Sequence, residues 1–504
     1  MKEYLLGIDI GTSSCKAAVF DREGRVIESV SEDYPVYYPH TGWAEQDPED
    51  WWSGTARAFR RIFESGRVKP SQIACVGIDG QSWSAIAMDG DGKSMGRTPI
   101  WMDTRAADIC DRVNARVGED RIFRTAGNRL LPSYTTPKVL WYQENLPEIY
   151  EKTDKILSCN GYIAYRLTGA YSQDICQAYG WHCFDMRTGK WDRELAEEIG
   201  IPVSFLPEIV NCDQIVGKVT KEAAAVTGLD EGTPVVAGGL DAACGALGTG
   251  VLHDGETQEQ GGQAGGMSIC EENYGADPSL ILSFHVVPGR WLLQGGTTGG
   301  GGVMRWFERE FGAYERTKKA EKGSSFNQLG DLAAAVPAGS DGLVFLPYMS
   351  GERSPIWDPD AKGVFYGLDF AKTKGHMVRA CMEGVAYALK HNLDVAEKAG
   401  AHVDVLRAMG GSANSLVWTQ IKADITGKKI VVPSSDTATT LGAVMLAGVA
   451  CGMYSSYEEA VGLTVHEVRH HEPDPSNREA YDRNYSLYLE LYQDLKETMK
   501  KYRQ

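Results

Sequence analysis

The first thirty residues alternate between short apolar runs and polar turns, a pattern that predicts three consecutive β-strands. The runs cover residues 4–10, 15–21 and 25–30, and the turns between them read GTSS and DREG. The next segment, DPEDWWSGTARAFRRIF, begins with Asp-Pro and has apolar residues at helical spacing. The apolar run IACVGIDG that follows predicts a buried strand. The beginning of the chain is therefore expected to fold in the order βββαβ.

A second set of strands and turns follows in the second half of the chain. The segments GETQEQGGQAGGMSI, SLILSFHVVPG and RWLLQGG read as strands with glycine-rich turns, and GVMRWFEREF after them has helical spacing. This repetition is one of organisation and not of sequence identity. It predicts two similar α/β domains, residues 1–246 and 247–504, with a cleft between them, and a length of 504 residues suits two domains.

Charge and composition narrow the classes of function. The formal net charge is −17 and no Lys/Arg-rich run is present, which argues against a broad nucleic-acid interface. The eleven cysteines contain no C-x-x-C pair, so neither a zinc framework nor a redox motif is indicated, and we expect a reduced, cytoplasmic protein. The apolar runs are well short of a membrane span, and Asp9 breaks the first of them. We therefore expect no nucleic-acid partner and no membrane partner.

The first tight turn is a candidate phosphate loop. Asp9 ends the first predicted strand, and Gly11, Thr12 and Ser13 follow it. Glycine lets the backbone approach a phosphate closely, the hydroxyl and N–H groups donate hydrogen bonds, and a carboxylate suits the hard cation that accompanies a phosphate. The alternative is an ordinary hairpin in which these residues only satisfy the geometry of the turn.

Three further glycine-rich loops, residues 261–266, 295–302 and 410–414, lie where a predicted strand ends or a predicted helix begins. Helix N-termini there are expected to present free N–H groups to anions. A P-loop is excluded because DGKS has Ala87 where that motif requires glycine, and GALGTG lacks the dinucleotide-binding pattern. Protein-kinase signatures are also missing. The loops of both halves therefore favour a nucleotide site of another kind.

Six segments resemble the successive motifs of the FGGY family of carbohydrate kinases. They are GIDIGTSSCKAAVFD, SYTTPKVLWYQEN, GGLDAACGALGTG, FLPYMSGERSPIWDPDAKGVFYGLD, MEGVAYALKHNLD and AMGGSANSLVWTQIKADITGKKI, spanning residues 4 to about 450. GWAEQDPEDWW and FLPYMSGERSPIW look most like the xylulokinase branch. The resemblance implies an α/β, actin-like ATPase fold with two ribonuclease-H-like domains flanking a deep cleft. It also implies ATP and Mg²⁺ held mostly by the second domain, and a ketopentose such as xylulose held mostly by the first.

The resemblance also assigns roles to single residues. Asp241 matches the catalytic base, with an N-cap for the helix-like AACGAL as the alternative, and Asp9 matches the metal-associated aspartate. The residues that match the nucleotide loops are Gly11, Thr12, Ser13, Gly262, Gln263, Gly265, Gly299, Gly300, Gly410, Gly411 and Asn414. The residues on the sugar side are Gln81, Trp83, Trp101, Asp103 and Arg105, together with Asp241. The alternative for the two tryptophans is packing, and the alternative for Arg105 is a structural pair with Asp103.

Three departures from the family pattern bear on the substrate. Trp83 stands where many xylulokinases carry His. Ala242 follows the base where the family usually has Asn or Gln, so a hydrogen-bond partner for a sugar hydroxyl is gone. Gln263 and Ala264 replace the Thr and Ser of the second phosphate loop, which keeps its glycines. These changes weaken the expectation of xylulose more than the expectation of sugar phosphorylation.

Other functions stay open as alternatives. One is a kinase for another sugar or polyol, and another is a sugar-sensing binding protein that has lost kinase activity. A non-hydrolytic actin-like chaperone or filament is disfavoured, because no unassigned domain remains once both halves are counted. The C-terminal segment NREAYDRNYSLYLELYQDLKETMKKY has helical spacing. It is expected to pack on the second domain or on a partner subunit in a homodimer.

Overall fold

The computed structural model describes residues 3–434 and 437–501 of the chain. In chain order its strands are β1 (Tyr4–Ile10), β2 (Ser14–Phe20), β3 (Val26–Asp33), β4 (Glu45–Gln46), β5 (Ile73–Gly80), β6 (Ile86–Asp89), β7 (Thr98–Pro99), β8 (Thr153–Leu157), β9 (Gln173–Asp174), β10 (Phe184–Asp185), β11 (Lys190–Trp191), β12 (Ile209–Val210), β13 (Ile215–Lys218), β14 (Pro234–Val236), β15 (Gly239–Leu240), β16 (Glu256–Gly261), β17 (Gly265–Glu271), β18 (Ile281–Phe284), β19 (Trp291–Thr297), β20 (Val344–Leu346), β21 (Val364–Tyr366), β22 (Val405–Met409), β23 (Lys429–Pro433) and β24 (Glu467–His471).

The α-helices of the same residues are α1 (Pro48–Glu64), α2 (Ala107–Val117), α3 (Glu119–Ala126), α4 (Thr135–Asn145), α5 (Pro147–Tyr150), α6 (Cys159–Thr168), α7 (Arg193–Ile199), α8 (Lys221–Thr227), α9 (Asp241–Gly248), α10 (Gly301–Phe311), α11 (Ala313–Thr317), α12 (Lys319–Lys322), α13 (Ser325–Ala334), α14 (Lys374–Lys398), α15 (Leu416–Thr426), α16 (Ala438–Ala450), α17 (Tyr457–Thr464) and α18 (Arg478–Lys500).

Two seven-stranded sheets organise the fold. The first has the order β13-β14-β5-β1-β2-β3, with β15 also paired to β5, and the second has the order β18-β19-β17-β16-β22-β23-β24. In each sheet an antiparallel meander continues into parallel strands: β1 to β3 are followed by β5 and β14, and β16, β17 and β19 by β22 and β23. The shared strand order confirms the predicted repetition of organisation. Strand β5 is buried along its whole length, as its unbroken apolar run predicted.

Helices α9 and α16 cross at positions occupied by glycine. A Cβ on Gly248 would lie 1.9 Å from the carbonyl oxygen of Ala438, and a Cβ on Gly442 would lie 1.9 Å from that of Cys244. No side chain fits at these distances, so glycine is what allows the two backbones to touch. The contacts hold α16, which belongs to the second half of the sequence, against a helix that leaves the first sheet.

The C-terminal helix α18 packs on the second half of the chain, as expected. The hydroxyl of Tyr348 donates a 2.6 Å hydrogen bond to that of Tyr488, and Arg379 donates a 2.7 Å bond to the hydroxyl of Tyr481. The homodimer stays a prediction. So does the domain division at residues 246/247, which would fall inside α9.

None of the described helices combines the length and the apolar character that crossing a bilayer requires.

Candidate active site

Asp9 lies at the end of β1, directly before the first tight turn. Its Oδ2 accepts a 2.9 Å hydrogen bond from Oγ1 of Thr439, a residue of α16. Burial raises the pKa of Asp9, and its contacts with Asp79 and Thr439 oppose that shift. The residue is nevertheless partly exposed, so its carboxylate is open to a ligand.

Asp79 is a second carboxylate at this point, and it is not among the site residues predicted from the sequence. It pairs with Asp9 in the parallel ladder between β1 and β5, and it is fully buried. Neither of its carboxylate oxygens accepts a hydrogen bond from a donor within residues 3–434 and 437–501. Burial, followed by the charge of Asp9, raises its pKa well above the usual range. The signal in the sequence was an aspartate that ends a buried strand.

Asp241 is the first residue of α9 and follows β15 directly. Its Oδ1 accepts a 2.6 Å hydrogen bond from the N–H of Ala242. The helix cap is Leu240, so the N-cap alternative for Asp241 is wrong. Burial, and then the charge of Asp9, raise the pKa of Asp241 to about 7. A carboxylate that ionises near neutral pH is suited to accept a proton during a reaction.

The first tight turn is held by Trp101 and Gln81, two residues predicted on the sugar side, and by Gln46. Nε1 of Trp101 donates a 3.0 Å hydrogen bond to Oγ1 of Thr12, and Nε2 of Gln46 donates a 2.8 Å bond to the Thr12 carbonyl oxygen. Nε2 of Gln81 in turn donates a 2.8 Å bond to Oε1 of Gln46. The Oε1 of Gln81 is buried and accepts no hydrogen bond in the described part of the chain. Trp101 therefore supports the turn and does more than pack, and Gln81 keeps a free acceptor.

The backbone of the turn also fixes its own shape. The N–H of Gly11 donates a 3.1 Å hydrogen bond to the carbonyl oxygen of Ser14, and the Gly11 carbonyl accepts a 2.6 Å bond from the hydroxyl of Tyr34. Ser13 is exposed. The turn is therefore preformed, with the Ser13 side chain facing solvent.

Asp103 and Arg105 bind each other. Nη2 of Arg105 lies 2.7 Å from Oδ2 of Asp103 and 2.8 Å from Oε1 of Glu45. Oδ2 of Asp103 also accepts a 2.7 Å hydrogen bond from the N–H of Ala44, and the guanidinium carbon lies 3.7 Å from the ring centroid of Trp43. Both side chains are almost entirely buried. This geometry supports the alternative that Arg105 forms a structural pair with Asp103, because the two side chains bind each other and other residues of the first half of the chain.

Trp83 belongs to an aromatic cluster. Its ring centroid lies 4.2 Å from that of Tyr134 and 5.5 Å from that of Tyr179, and only 8% of the residue is exposed. Its φ of 59° is unusual for a bulky residue. Nζ of the buried Lys138 donates a 2.9 Å hydrogen bond to its carbonyl oxygen, and burial lowers the pKa of Lys138 to about 7. Trp83 is thus a wall residue whose backbone is held by an amine.

The second glycine loop packs directly on α10. The N–H groups of Gly301 and Gly302 donate hydrogen bonds of 2.7 and 2.9 Å to the carbonyl oxygens of Gly262 and Gln263. The expectation of free N–H groups at this helix N-terminus is therefore wrong, because the loop occupies them. Arg305 of α10 donates a hydrogen bond to Oε1 of Gln263. The residue that departs from the family pattern thus holds a guanidinium beside the loop.

The glycines of this region are required by close packing. A Cβ on Gly265 would lie 2.6 Å from Oγ1 of Thr297, and a Cβ on Gly300 would lie 2.3 Å from the carbonyl carbon of Ala264. A Cβ on Gly299 would likewise lie 2.5 Å from a backbone oxygen. Glycine is needed at all three positions whether or not a nucleotide binds.

A cavity of about 510 Å³ opens beside these loops. Gln263 and Gly299 line it together with the cations Arg305 and Arg309, and Trp306 forms an apolar wall. A space of this size with two guanidinium groups can accept the phosphate groups of a nucleotide.

Packing explains why residue 410 of the loop 410–414 is a glycine, but it does not explain the glycine at residue 411. Gly410 has a φ of 83°, and a Cβ there would lie 2.8 Å from the carbonyl oxygen of Gly261. A Cβ on Gly411 would meet open space. Asn414 is exposed at the end of the 3₁₀ turn Gly411–Asn414. The exposed side of this loop is thus free for a ligand.

A buried ion pair fixes the same loop from behind. Nζ of Lys422 donates hydrogen bonds of 2.8 Å to Oγ of Ser412 and 2.6 Å to Oε1 of Glu259, and both charged side chains are almost fully buried. The pair ties the loop to β16 and keeps it in place.

The loop of residues 351–355 also contributes to the site. It belongs to the motif FLPYMSGERSPIW, but none of its residues was predicted to have a role in the site. Oγ of Ser354 accepts a 2.6 Å hydrogen bond from the N–H of Gly296, and Oε1 of Glu352 accepts a 2.7 Å bond from that of Thr298. Burial raises the pKa of Glu352 to about 7. The loop therefore holds the end of β19, from which the candidate phosphate loop continues.

Comparisons with known proteins identify the family. Residues 4–248 match the N-terminal domain of the FGGY family of carbohydrate kinases, and residues 266–451 match its C-terminal domain. Xylulose kinase of Bacillus subtilis (strain 168) is 31% identical over 506 residues, which cover 99% of each chain. Gluconokinase of Bacillus licheniformis is 31% identical over 494 residues, 97% of this chain and 96% of that one.

A solved structure agrees with these matches along the whole chain. The crystal structure of xylulose kinase from Rhodospirillum rubrum has a TM-score of 0.90 and 29% sequence identity, and the match covers 99% of this chain and 100% of that chain. Together with the two matched family domains and the repeated sheets, this likeness confirms the predicted actin-like ATPase fold. The chain therefore belongs to the FGGY family of carbohydrate kinases.

Proposed function

We propose that this carbohydrate kinase transfers the γ-phosphate of ATP to a hydroxyl group of a ketopentose such as xylulose. The observation that carries the proposal is the carboxylate of Asp241, which ionises near neutral pH at the start of α9, within the electrostatic reach of Asp9. Sugar phosphorylation needs such a base next to a nucleotide site. The first tight turn follows Asp9 by two residues and supplies the proposed neighbouring phosphate loop.

Asp241 is the proposed acceptor of the hydroxyl proton. The oxygen of the sugar forms a bond to the γ-phosphorus, the bond from that phosphorus to the bridging oxygen of ADP breaks, and the hydroxyl proton passes to the carboxylate. The N–H of Ala242 holds Oδ1, which leaves Oδ2 to receive the proton. Closure of the cleft over the sugar would exclude water, the rival nucleophile.

The nucleotide is proposed to lie between loops of both halves. The residues proposed to hold it are Gly11, Thr12, Ser13, Gly262, Gln263, Gly265, Gly299, Gly300, Gly410, Gly411 and Asn414. Support comes from the open space at Gly411, which no protein contact explains, and from the cavity with Arg305 and Arg309.

Asp9 is the residue proposed to face Mg²⁺. The donors at this point are hard carboxylate oxygens, which are the ligands that Mg²⁺ prefers. Burial raises the pKa of all three carboxyl groups, and the charge of Asp9 raises those of Asp79 and Asp241 further, so negative charge is concentrated here. The residues therefore fit the ion. When bound, Mg²⁺ neutralises negative charge on the phosphate oxygens.

A ketopentose is supported by the motifs of the xylulokinase branch and by the xylulose kinase relatives. Gln81 offers a free acceptor for a hydroxyl, and Trp83 offers an unpaired indole N–H. A sugar acid is the second candidate. It is favoured by the gluconokinase relative and by the unpaired guanidinium of Arg353 described below.

A substrate panel tests the proposal. Purified protein is given ATP, Mg²⁺ and each of a set of ketopentoses, aldoses, polyols and sugar acids, and ADP release is followed in a coupled assay. A ketopentose is expected to give the highest kcat/KM. A clear preference for glycerol or gluconate would contradict the ketopentose, and sugar binding without phosphorylation would favour a sugar-sensing protein.

A further inference from the structure

The guanidinium of Arg353 is an unpaired charge. In the part of the chain that the structure describes, it forms neither a hydrogen bond nor an ion pair, although the residue is largely buried. The neighbouring carboxylate of Glu352 accepts backbone N–H groups instead, those of Thr298 and of Arg353 itself. The donors of this guanidinium are therefore not used within the described part of the protein and can bind a ligand oxygen.

Gly296 sets the position of this side chain. A Cβ at Gly296 would lie 2.3 Å from Nη2 of Arg353, so only glycine leaves room for the guanidinium. Ser354 holds the same glycine by accepting from its N–H at 2.6 Å and donating to its carbonyl oxygen at 3.1 Å. The guanidinium therefore lies across the end of β19 in a defined place.

Arg353 reaches the aromatic cluster of the first half. Burial raises the pKa of Tyr134, and the positive charge of Arg353 opposes this rise. Arg353 also interacts electrostatically with Tyr179. Both tyrosine rings contact Trp83, and Nε1 of Trp83 is buried without a partner among the described residues. Each half of the chain thus supplies one donor without a partner to the surroundings of these tyrosines.

The same cluster extends to the proposed base. Burial and, to a smaller extent, the charge of Asp241 raise the pKa of Tyr179, so Asp241 and Arg353 are both electrostatic neighbours of this tyrosine. Asp241 and Oε1 of Gln81 are acceptors, whereas Arg353 and Trp83 are donors. The proposed sugar site therefore has an acceptor end, where a hydroxyl is deprotonated, and a donor end.

We propose that Arg353 is a substrate-recognition residue that donates hydrogen bonds to an sp² oxygen of the substrate. That oxygen is the ketone oxygen of a ketose or a carboxylate oxygen of a sugar acid. The inference rests on the proposed function. It identifies the group of the substrate that the second half of the chain recognises. A neutral alditol has no such oxygen and gains nothing from the guanidinium.

Paired substrates test this recognition. Wild type and Arg353→Met are compared on D-xylulose and xylitol, and on D-gluconate and D-glucitol, by steady-state kinetics with ATP. Because a hydrogen bond from a charged group contributes about 10- to 100-fold, kcat/KM for the preferred member with an sp² oxygen should fall by about that factor, mainly through KM. The value for its alditol should stay within about twofold. The two pairs distinguish a ketone from a carboxylate.

Two further variants separate recognition from a structural effect. Gly296→Ala keeps the charge but displaces the guanidinium, and it should reproduce the selective loss on the sp² substrate. Arg353→Lys should restore part of the affinity. The matched controls are Gly330→Ala, where a Cβ meets nothing within 4 Å, and Arg193→Met on the exposed surface of α7. Thermal melts on the same preparations establish that each variant is folded.

The outcomes distinguish this inference from the proposed function. Equal losses on ketose and alditol, or no loss on either, overturn the role of Arg353 while the kinase activity stands. A wild-type protein that phosphorylates only alditols overturns it as well. If the wild type binds D-xylulose or D-gluconate without phosphorylating it, the proposed function fails, and the same variants are compared by calorimetric affinity: a selective loss supports the role and an unchanged affinity overturns it.

Discussion

The hydroxyl of Thr439 donates a 2.9 Å hydrogen bond to Oδ2 of Asp9, and this bond joins the two halves of the chain beside the candidate active site. Thr439 lies in the first turn of α16, whereas Asp9 is the last residue but one of β1. The carboxylate proposed to face the metal is therefore oriented by a helix that comes more than 400 residues later in the sequence.

Thr439→Val removes this donor and keeps the shape of the side chain. The free energy of unfolding is expected to fall by about 1 kcal/mol, the net contribution of a typical hydrogen bond. Thr439→Ser keeps a hydroxyl and should lie closer to the wild type. Urea denaturation measures both variants, and a Val variant as stable as the wild type would show that the bond contributes nothing.

Asp241→Asn should abolish chemistry and spare the fold. The amide oxygen can still accept the N–H of Ala242, but the group can no longer take a proton. General-base catalysis contributes about 10²- to 10⁴-fold, so the turnover number should fall at least that far, with nucleotide affinity almost unchanged. Single-turnover kinetics and a thermal melt on one preparation measure both properties. Near-normal turnover would refute the assignment of the base.

The pH dependence of kcat/KM should follow the ionisation of Asp241. Its pKa is raised to about 7, and only the ionised carboxylate can accept the hydroxyl proton. Activity should therefore fall as the pH drops below about 7, tenfold per pH unit, and level off above it. The residual activity of Asp241→Asn should lack this inflection. The same inflection in both proteins would assign it to another group.

Asp9→Asn should weaken the use of magnesium and nucleotide together. The substitution keeps an acceptor for Thr439 but removes the charge that would face the cation. The concentration of Mg²⁺ that gives half-maximal activity should rise about 10- to 100-fold, whereas the affinity for sugar alone should hardly change. Titrations with Mg²⁺ and calorimetry with the preferred sugar measure the two effects. A variant with unchanged Mg²⁺ dependence would place the metal elsewhere.

Gly411→Ala and Gly410→Ala should fail in different ways. A methyl group on Gly411 enters open space, so the fold should be unaffected, but it would intrude on the proposed nucleotide and raise the KM for ATP roughly 5- to 100-fold, as overpacking does. Gly410 has a positive φ and a backbone oxygen in the way, so its variant should lose about 1–3 kcal/mol of stability. Melting temperatures and KM values for both variants test this contrast.

The sequence allowed the strands and the meander order to be predicted because those features depend on local patterns. The site residues chosen from the same patterns stay predictions. An apolar run that ends on Asp9 before a glycine turn is visible in the sequence alone. The proximity of Asp79 to Asp9 is not, because it depends on the parallel pairing of β1 with β5, whose residues are about 70 positions apart. A register of this kind is set by tertiary packing.

Two expectations from the sequence, free N–H groups at the start of α10 and a sugar-binding role for Arg105, depend on long-range contacts that no local pattern encodes. The N–H groups at the start of α10 bind the carbonyl oxygens of Gly262 and Gln263, which belong to a loop nearly 40 residues earlier. Arg105 is enclosed by Asp103, Glu45 and the ring of Trp43, and only the folded arrangement reveals that its donors are occupied. The residue types predicted which hydrogen-bonding groups are present, and the packing of the fold determines which partners those groups bind.

The glycine contacts between α9 and α16 leave no clearance for either helix to slide over the other. Asp241 begins one of these helices, and Thr439, the anchor of Asp9, lies at the start of the other. The base and the metal-facing carboxylate are consequently parts of a single rigid pivot. A movement of one sheet relative to the other would therefore leave the spacing of these two carboxylates unchanged.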